Sequence, residues 1–200
     1  MSKSIKLKRG DILLLLLYVD NCAKVKGRTR LQKMVFVFEM ELLKKYGFDK
    51  QLEKKKSSDF EFNAHNYGPF SKKVFELMDF FVNIKMVDAS YSKVTEEAFA
   101  DISDLDIAIE DLAELNIDLE EEAIPNGEPI YCLTETGEKY VLDKLLNFIS
   151  EEQIQALTQL KKSFNEYSLN NILKYVYTKY PDMAKESLVR EKVLGTKWTS

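Results

Sequence analysis

One histidine, two cysteines, four prolines and seven glycines are all that this 200-residue chain holds of the residues that most often mark chemistry or irregular backbone. Each shortage excludes something. A closed zinc site takes about four Cys or His ligands, usually in close-spaced pairs, and His65 with the distant Cys22 and Cys132 does not supply them. Two such cysteines make no disulfide framework either, which fits a reducing cytoplasm. The glycines form neither G-x-G-x-x-G nor a P-loop, and no G-x-S-x-G or H-E-x-x-H occurs, so no cofactor is expected. Scarce Gly and Pro also argue against a disordered chain.

Long apolar runs are missing too. Ile12 to Val19 falls far short of the roughly 20 residues of a membrane span. The basic start of "KSIKLKRGDILLLLLYVDNCA" imitates a secretory signal, but Asp11 precedes the run, Asp20 ends it, and no small-x-small cleavage pattern follows. A buried helix is the simpler reading, with no membrane segment.

What is present suits a packed domain: 45% hydrophobic residues, with aromatics at 12% that are mostly Phe and Tyr. Charge is segregated. Residues 1–56 carry 15 Lys and Arg against 6 acids, whereas residues 96–122 carry 12 acids and no base. Outside that stretch, 29 basic residues face only 21 acids, so the net charge of -4 hides a basic remainder.

Periodicity predicts a first helix from about Asp11 to Ala23, a turn "KVKGRT", and a second helix capped by Thr29 and stopped at Gly47. In that helix Leu31, Met34, Val35, Phe38, Leu42 and Tyr46 form one apolar stripe. "DFEFNA" alternates as a short strand would. Gly68-Pro69 then breaks the chain, and Ser71 caps a third helix whose inner side is Val74, Phe75, Leu77, Met78, Phe81 and Val82. Strands near Val87 and at "IYCLT" are expected to pair around a long tip. That tip, about 92–128, is an acidic insertion with Ile102, Leu105, Ile109 and Leu112 at helical spacing, either covering its own core or docking a partner. Helices capped at Ser150, with Gln153 closing a capping box, and at Ser168 complete the C-terminal third.

Single-residue candidates remain. His65 is the one side chain that would titrate near neutrality unperturbed, and local hydrogen bonding beside the turn is the plainer role for it. Glu53, Lys55, Asp59 and Glu61 would make a nuclease-like metal site on paper, a short match that arises easily by chance. No catalytic or metal residue is assigned.

Helix, turn, helix, strand, turn, helix, strand, tip, strand is the order of a winged helix-turn-helix. On that reading the third helix is the counterpart of a recognition helix, with Lys72 and Lys73 in its first turn and Arg28 and Arg30 nearby as candidate nucleic-acid contacts. "TRLQKMVFVFE" (29–39), "FNAHNYGPFSKKVFELMDFF" (62–81) and "YCLTETGEKYV" (131–141) together resemble the YwgA-like family of prokaryotic proteins. More distantly they are similar to the Panacea domain of SocA-like antitoxins. The resemblance implies a non-enzymatic domain acting through protein contacts, and its motif falls on Leu31, Gln32, Lys33, Tyr67, Gly68, Pro69 and Val74. His65 belongs to the same turn.

The resulting expectation is a mostly α (α+β) protein. Residues 1–148 form a winged-helix-like core with its insertion, and 149–200 a helical extension packed on it. It acts as an antitoxin-like or phage-defence adaptor that binds a partner protein; a DNA-binding regulator is the alternative, and a homodimer is compatible with either.

Overall fold

Ile12, Leu13, Leu14, Leu15, Leu16 and Leu17 are all fully buried, which a helix apolar on every side achieves only by running through the middle of a domain. They belong to α1 (Arg9–Tyr18) in a computed structural model that describes residues 6–53, 60–91 and 129–195. The short strand β1 (Val25–Lys26) follows, then α2 (Arg28–Val37), whose end widens into a π turn over Phe38–Leu42. Next come α3 (Phe48–Gln51), α4 (Lys72–Asn83), β2 (Val87–Tyr91) and β3 (Pro129–Leu133). After β3, α5 (Glu135–Tyr140) runs into a π turn at Val141–Leu145. The chain closes with α6 (Glu151–Glu166), α7 (Leu169–Lys179) and α8 (Arg190–Leu194).

The architecture is α+β, mostly helical around one small antiparallel sheet of order β1-β3-β2. Val25 opposes Tyr131, Val87 opposes Leu133, and Tyr91 opposes Pro129. β3 alternates buried and half-buried residues, so Tyr131 and Leu133 turn inward. α1 packs on β3, α6 and the π turn after α5, while α2 packs on α6 and α7. One contiguous apolar cluster results.

Both ends of α1 are closed by buried charge. Lys161, fully buried on α6, donates to the carbonyls of Leu17 (2.7 Å) and Val19 (2.8 Å). A helix C-terminus leaves such carbonyls unpaired and its dipole favours a cation there; even so, burial pulls the Lys161 ammonium down to about 8. At the other end Asp11 accepts the Lys8 N–H at 2.7 Å and the Tyr140 hydroxyl at 3.3 Å, while burial pushes its carboxyl up.

Ser71, Ser150 and Ser168 cap α4, α6 and α7 through their side chains, Gln153 completes the capping box, and the β2–β3 pairing forms. Other expectations are corrected. α1 ends at Tyr18 and not at Ala23, because Asp20, Asn21 and Cys22 take φ of 60°, 51° and 55° and turn the chain left-handed. β1 lies inside the expected "KVKGRT" turn. Gly27 occupies the N-cap of α2, which places Thr29 within the helix.

α2 is not one amphipathic stripe, since Gln32, Lys33, Phe36 and Val37 are buried as well. Its regular helix stops at Val37, well short of Gly47. "FEFNA" forms no strand beyond an isolated bridge from Asn63 to Phe70; instead Phe62 packs edge-on against Phe36, and Arg9 lies over the Phe60 ring. The acidic stretch with Ile102, Leu105, Ile109 and Leu112 lies outside the described residues, as do Lys55 and Asp59. Among the described residues no helix is long and apolar enough to cross a membrane.

Candidate interaction surface

Two adjacent polar residues on a buried helix need partners, and Gln32 and Lys33 find theirs in the same turn. The Gln32 amide donates to the Ser71 carbonyl at 2.8 Å and accepts the Ser71 N–H at 3.0 Å. Lys33, 3% exposed, donates to the Pro69 carbonyl at 2.9 Å. Burial pulls its ammonium down to about 7. The Ser71 hydroxyl accepts the Val74 N–H at 3.2 Å and donates to the Phe60 carbonyl. The motif residues of α2 and of the turn thus form one buried hydrogen-bonded corner that fixes where α4 starts.

The remaining turn residues pack around this corner. Asn63 and Phe70 exchange backbone hydrogen bonds of 2.9 Å each way, closing the loop. The Gly68 N–H donates to the His65 carbonyl at 2.8 Å, and the half-buried His65 ring lies 4.9 Å from Phe70. Gly68 has φ +81°, and a Cβ there would stand 2.5 Å from the Tyr177 ring; glycine is required for both reasons. Tyr67 and Pro69 are buried beside it. The side chains of Gln32, Lys33 and Ser71 all bond backbone groups here.

α4 projects from the corner. Val74, Met78 and Phe81 face inward, which leaves Lys72, Glu76, Asp79, Phe80 and Asn83 outward, the i, i+4, i+7, i+8, i+11 positions of one helical stripe. Phe80 is 53% exposed, and Ile84, one turn on, is 41% exposed. Of the expected basic contacts, Lys72 is exposed at the first turn, and Lys73 forms an ion pair with Glu61. The Arg28 guanidinium lies 5.5 Å from the Phe75 ring centre and also bonds Tyr131, whose hydroxyl burial pushes up to about 12. Arg30 donates to the carbonyls of Lys26 (3.2 Å), Phe164 and Tyr167 (2.7 Å), so it closes the C-terminal end of α6.

Helical periodicity, extended one step, would have placed Phe80 on the Lys72–Glu76 stripe. The Arg30 contacts had no local signal, since their α6 acceptors lie 134 and 137 positions away.

A groove of about 560 Å³ opens on another side, between the π turn of α2, α6 and α7, with Glu41, Tyr46, Phe164, Tyr167 and Tyr175 among its lining. Burial opposes the Glu41 charge, but hydrogen bonds from Tyr175 (2.6 Å), Lys179 and Tyr180 (2.9 Å) outweigh it and hold the carboxyl below its usual range. Comparison of the chain with protein-family models, with curated proteins and with solved structures finds no match.

Proposed function

We propose that this protein is a non-catalytic interaction module on a winged-helix-like scaffold, working in the cytoplasm as an antitoxin-like or phage-defence adaptor through contacts with a partner protein. The sheet order β1-β3-β2, with α4 entering β2 and a long connection from β2 to β3, supports the winged-helix reading. The resemblance to the YwgA-like and Panacea sequences supports the adaptor role, and the corner made by Gln32, Lys33, Pro69 and Ser71 gives its motif a structural purpose.

One observation carries the choice of a protein over nucleic acid. On the winged-helix reading the outward face of α4 would be the one to meet bases, and beyond Lys72 in its first turn it presents Glu76, Asp79 and the exposed ring of Phe80. Carboxylates there repel phosphate, whereas duplex binding draws its affinity from Lys and Arg neutralising the backbone. Arg30, a candidate contact, is engaged by backbone carbonyls.

The second reading, a DNA-binding regulator, draws on the exposed Lys72 at the start of α4 and the same topology. Affinity capture from the native host, with identification of co-purifying protein and nucleic acid, separates the two. A stoichiometric protein partner without DNA is the expected result, and recovery of a defined DNA site overturns it. Size measurement of the purified chain decides whether a homodimer forms.

A further inference from the structure

We infer that the groove between the π turn of α2, α6 and α7 binds a small hydrophobic molecule carrying one negative charge, of the aryl-carboxylate kind. Its volume of about 560 Å³ lies in the range of small-molecule sites, which combine apolar walls with a few polar groups. Val37, Leu160, Phe164 and Ile172, all buried, make the floor. Tyr46, Tyr167 and Tyr175 stand around it, large flat rings suited to covering an apolar or aromatic body.

The groove is built and not left over between helices. Its α2 wall is the π turn, in which the Leu43 N–H reaches back to the Phe38 carbonyl at 2.9 Å; such turns are rare and recur at functional sites. The Tyr175 ring is held by its hydroxyl, which donates to Glu41 at 2.6 Å, and the Tyr167 backbone by Arg30 at 2.7 Å. Groups already held lose little freedom on binding.

Charge selects the ligand. Glu41 and Lys45 are the charged residues of the lining. The Glu41 carboxylate is matched by the Lys179 ammonium at 2.9 Å and by the hydroxyls of Tyr175 and Tyr180, so its charge is compensated within the chain. Lys45 is exposed, lies 5.1 Å from the centre of the neighbouring Tyr46 ring, and has no carboxylate partner among the described residues. One uncompensated positive charge therefore stands at the rim of an apolar groove. An anion gains from it, a neutral molecule of the same shape does not, and a cation is repelled.

Naphthoate, naphthalenemethanol and naphthylmethylammonium share an apolar body and differ in charge. Calorimetric titration of the full chain is expected to rank the carboxylate about threefold tighter than the alcohol and about tenfold tighter than the ammonium, as a single exposed charge allows. Backbone amide NMR shifts should move around Ser163, Asn171 and Tyr175, which line the groove. Gln159→Trp, on the exposed rim, should fill the groove and weaken all three probes about tenfold. Lys45→Glu should reverse the order of carboxylate and ammonium. Both positions are exposed, and thermal melts followed by circular dichroism confirm that the variants fold.

No binding, equal affinities for the three probes, a preference for the ammonium, shifts away from the groove, or binding untouched by either variant would each overturn the assignment. α4 does not line the groove, so these outcomes are independent of the partner-protein reading.

Discussion

Replacing Lys33 by Met changes the pH dependence of stability in a way its burial fixes in advance. Burial holds the folded-state pKa of Lys33 at about 7, whereas an unfolded lysine titrates near 10.4. Between those values the unfolded chain binds more protons than the folded one, so unfolding free energy rises with pH. At a slope approaching 1.36 kcal/mol per pH unit, the Lys33 contribution grows by about 2–2.5 kcal/mol between about pH 7.5 and 9.5. Lys33→Met removes that slope while leaving Lys161 and the tyrosines in both proteins, so their titrations cancel in the difference. Urea unfolding at several pH values, compared between the two chains, measures it. Wild type is expected to gain on Lys33→Met by that amount as pH rises, and parallel pH profiles would refute the placement of the ammonium against the Pro69 carbonyl in a dry corner.

Gly47 and Gly68 both have positive φ, but a Cβ at Gly47 meets nothing within 4 Å. Gly47→Ala should therefore cost about 1 kcal/mol and Gly68→Ala about 3 kcal/mol or more in denaturant unfolding, the difference being the clash with Tyr177. Gly137→Ala drives a methyl to 2.1 Å from the Met86 carbonyl oxygen, a backbone atom with little room to yield; a loss of about 3 kcal/mol in the same assay is expected. Arg30→Ala should lower stability by about 2 kcal/mol by stripping hydrogen bonds from the end of α6, whereas Lys72→Ala, on the surface, should change it by less than about 0.5 kcal/mol.

Features that depend on a few neighbouring residues were legible in the sequence. Ser71, Ser150 with Gln153, and Ser168 cap their helices because a hydroxyl and a backbone N–H three residues on are enough to make the contact. β2 and β3 likewise pair as alternation and turn residues indicate. What failed depends on distant packing. α2 reads as a stripe, but α6 and α7 cover its remaining side, so Phe36 and Val37 are buried too. Lys161 looks like a surface residue until α1 ends beside it, 142 to 144 positions earlier in the chain.

The candidate site was half legible. Gln32, Lys33, Gly68 and Pro69 stood out through resemblance, and they meet in space, yet as a scaffold and not as a contact surface. Arg28 and Arg30 are expected as possible nucleic-acid contacts, and nothing local reveals that Phe75, Tyr131 and the carbonyls at the end of α6 engage them. Among the neighbouring apolar residues "DFFV", periodicity alone distinguishes Phe81 inside from Phe80 outside.

The central claim, that α4 meets protein and not DNA, is tested most directly by fluorescence anisotropy of the intact chain with labelled random and host-derived duplexes across a salt titration. The account predicts weak binding without sequence preference that Lys72→Glu leaves nearly unchanged. Tight binding to a defined duplex, falling steeply with salt and abolished by Lys72→Glu, would contradict it.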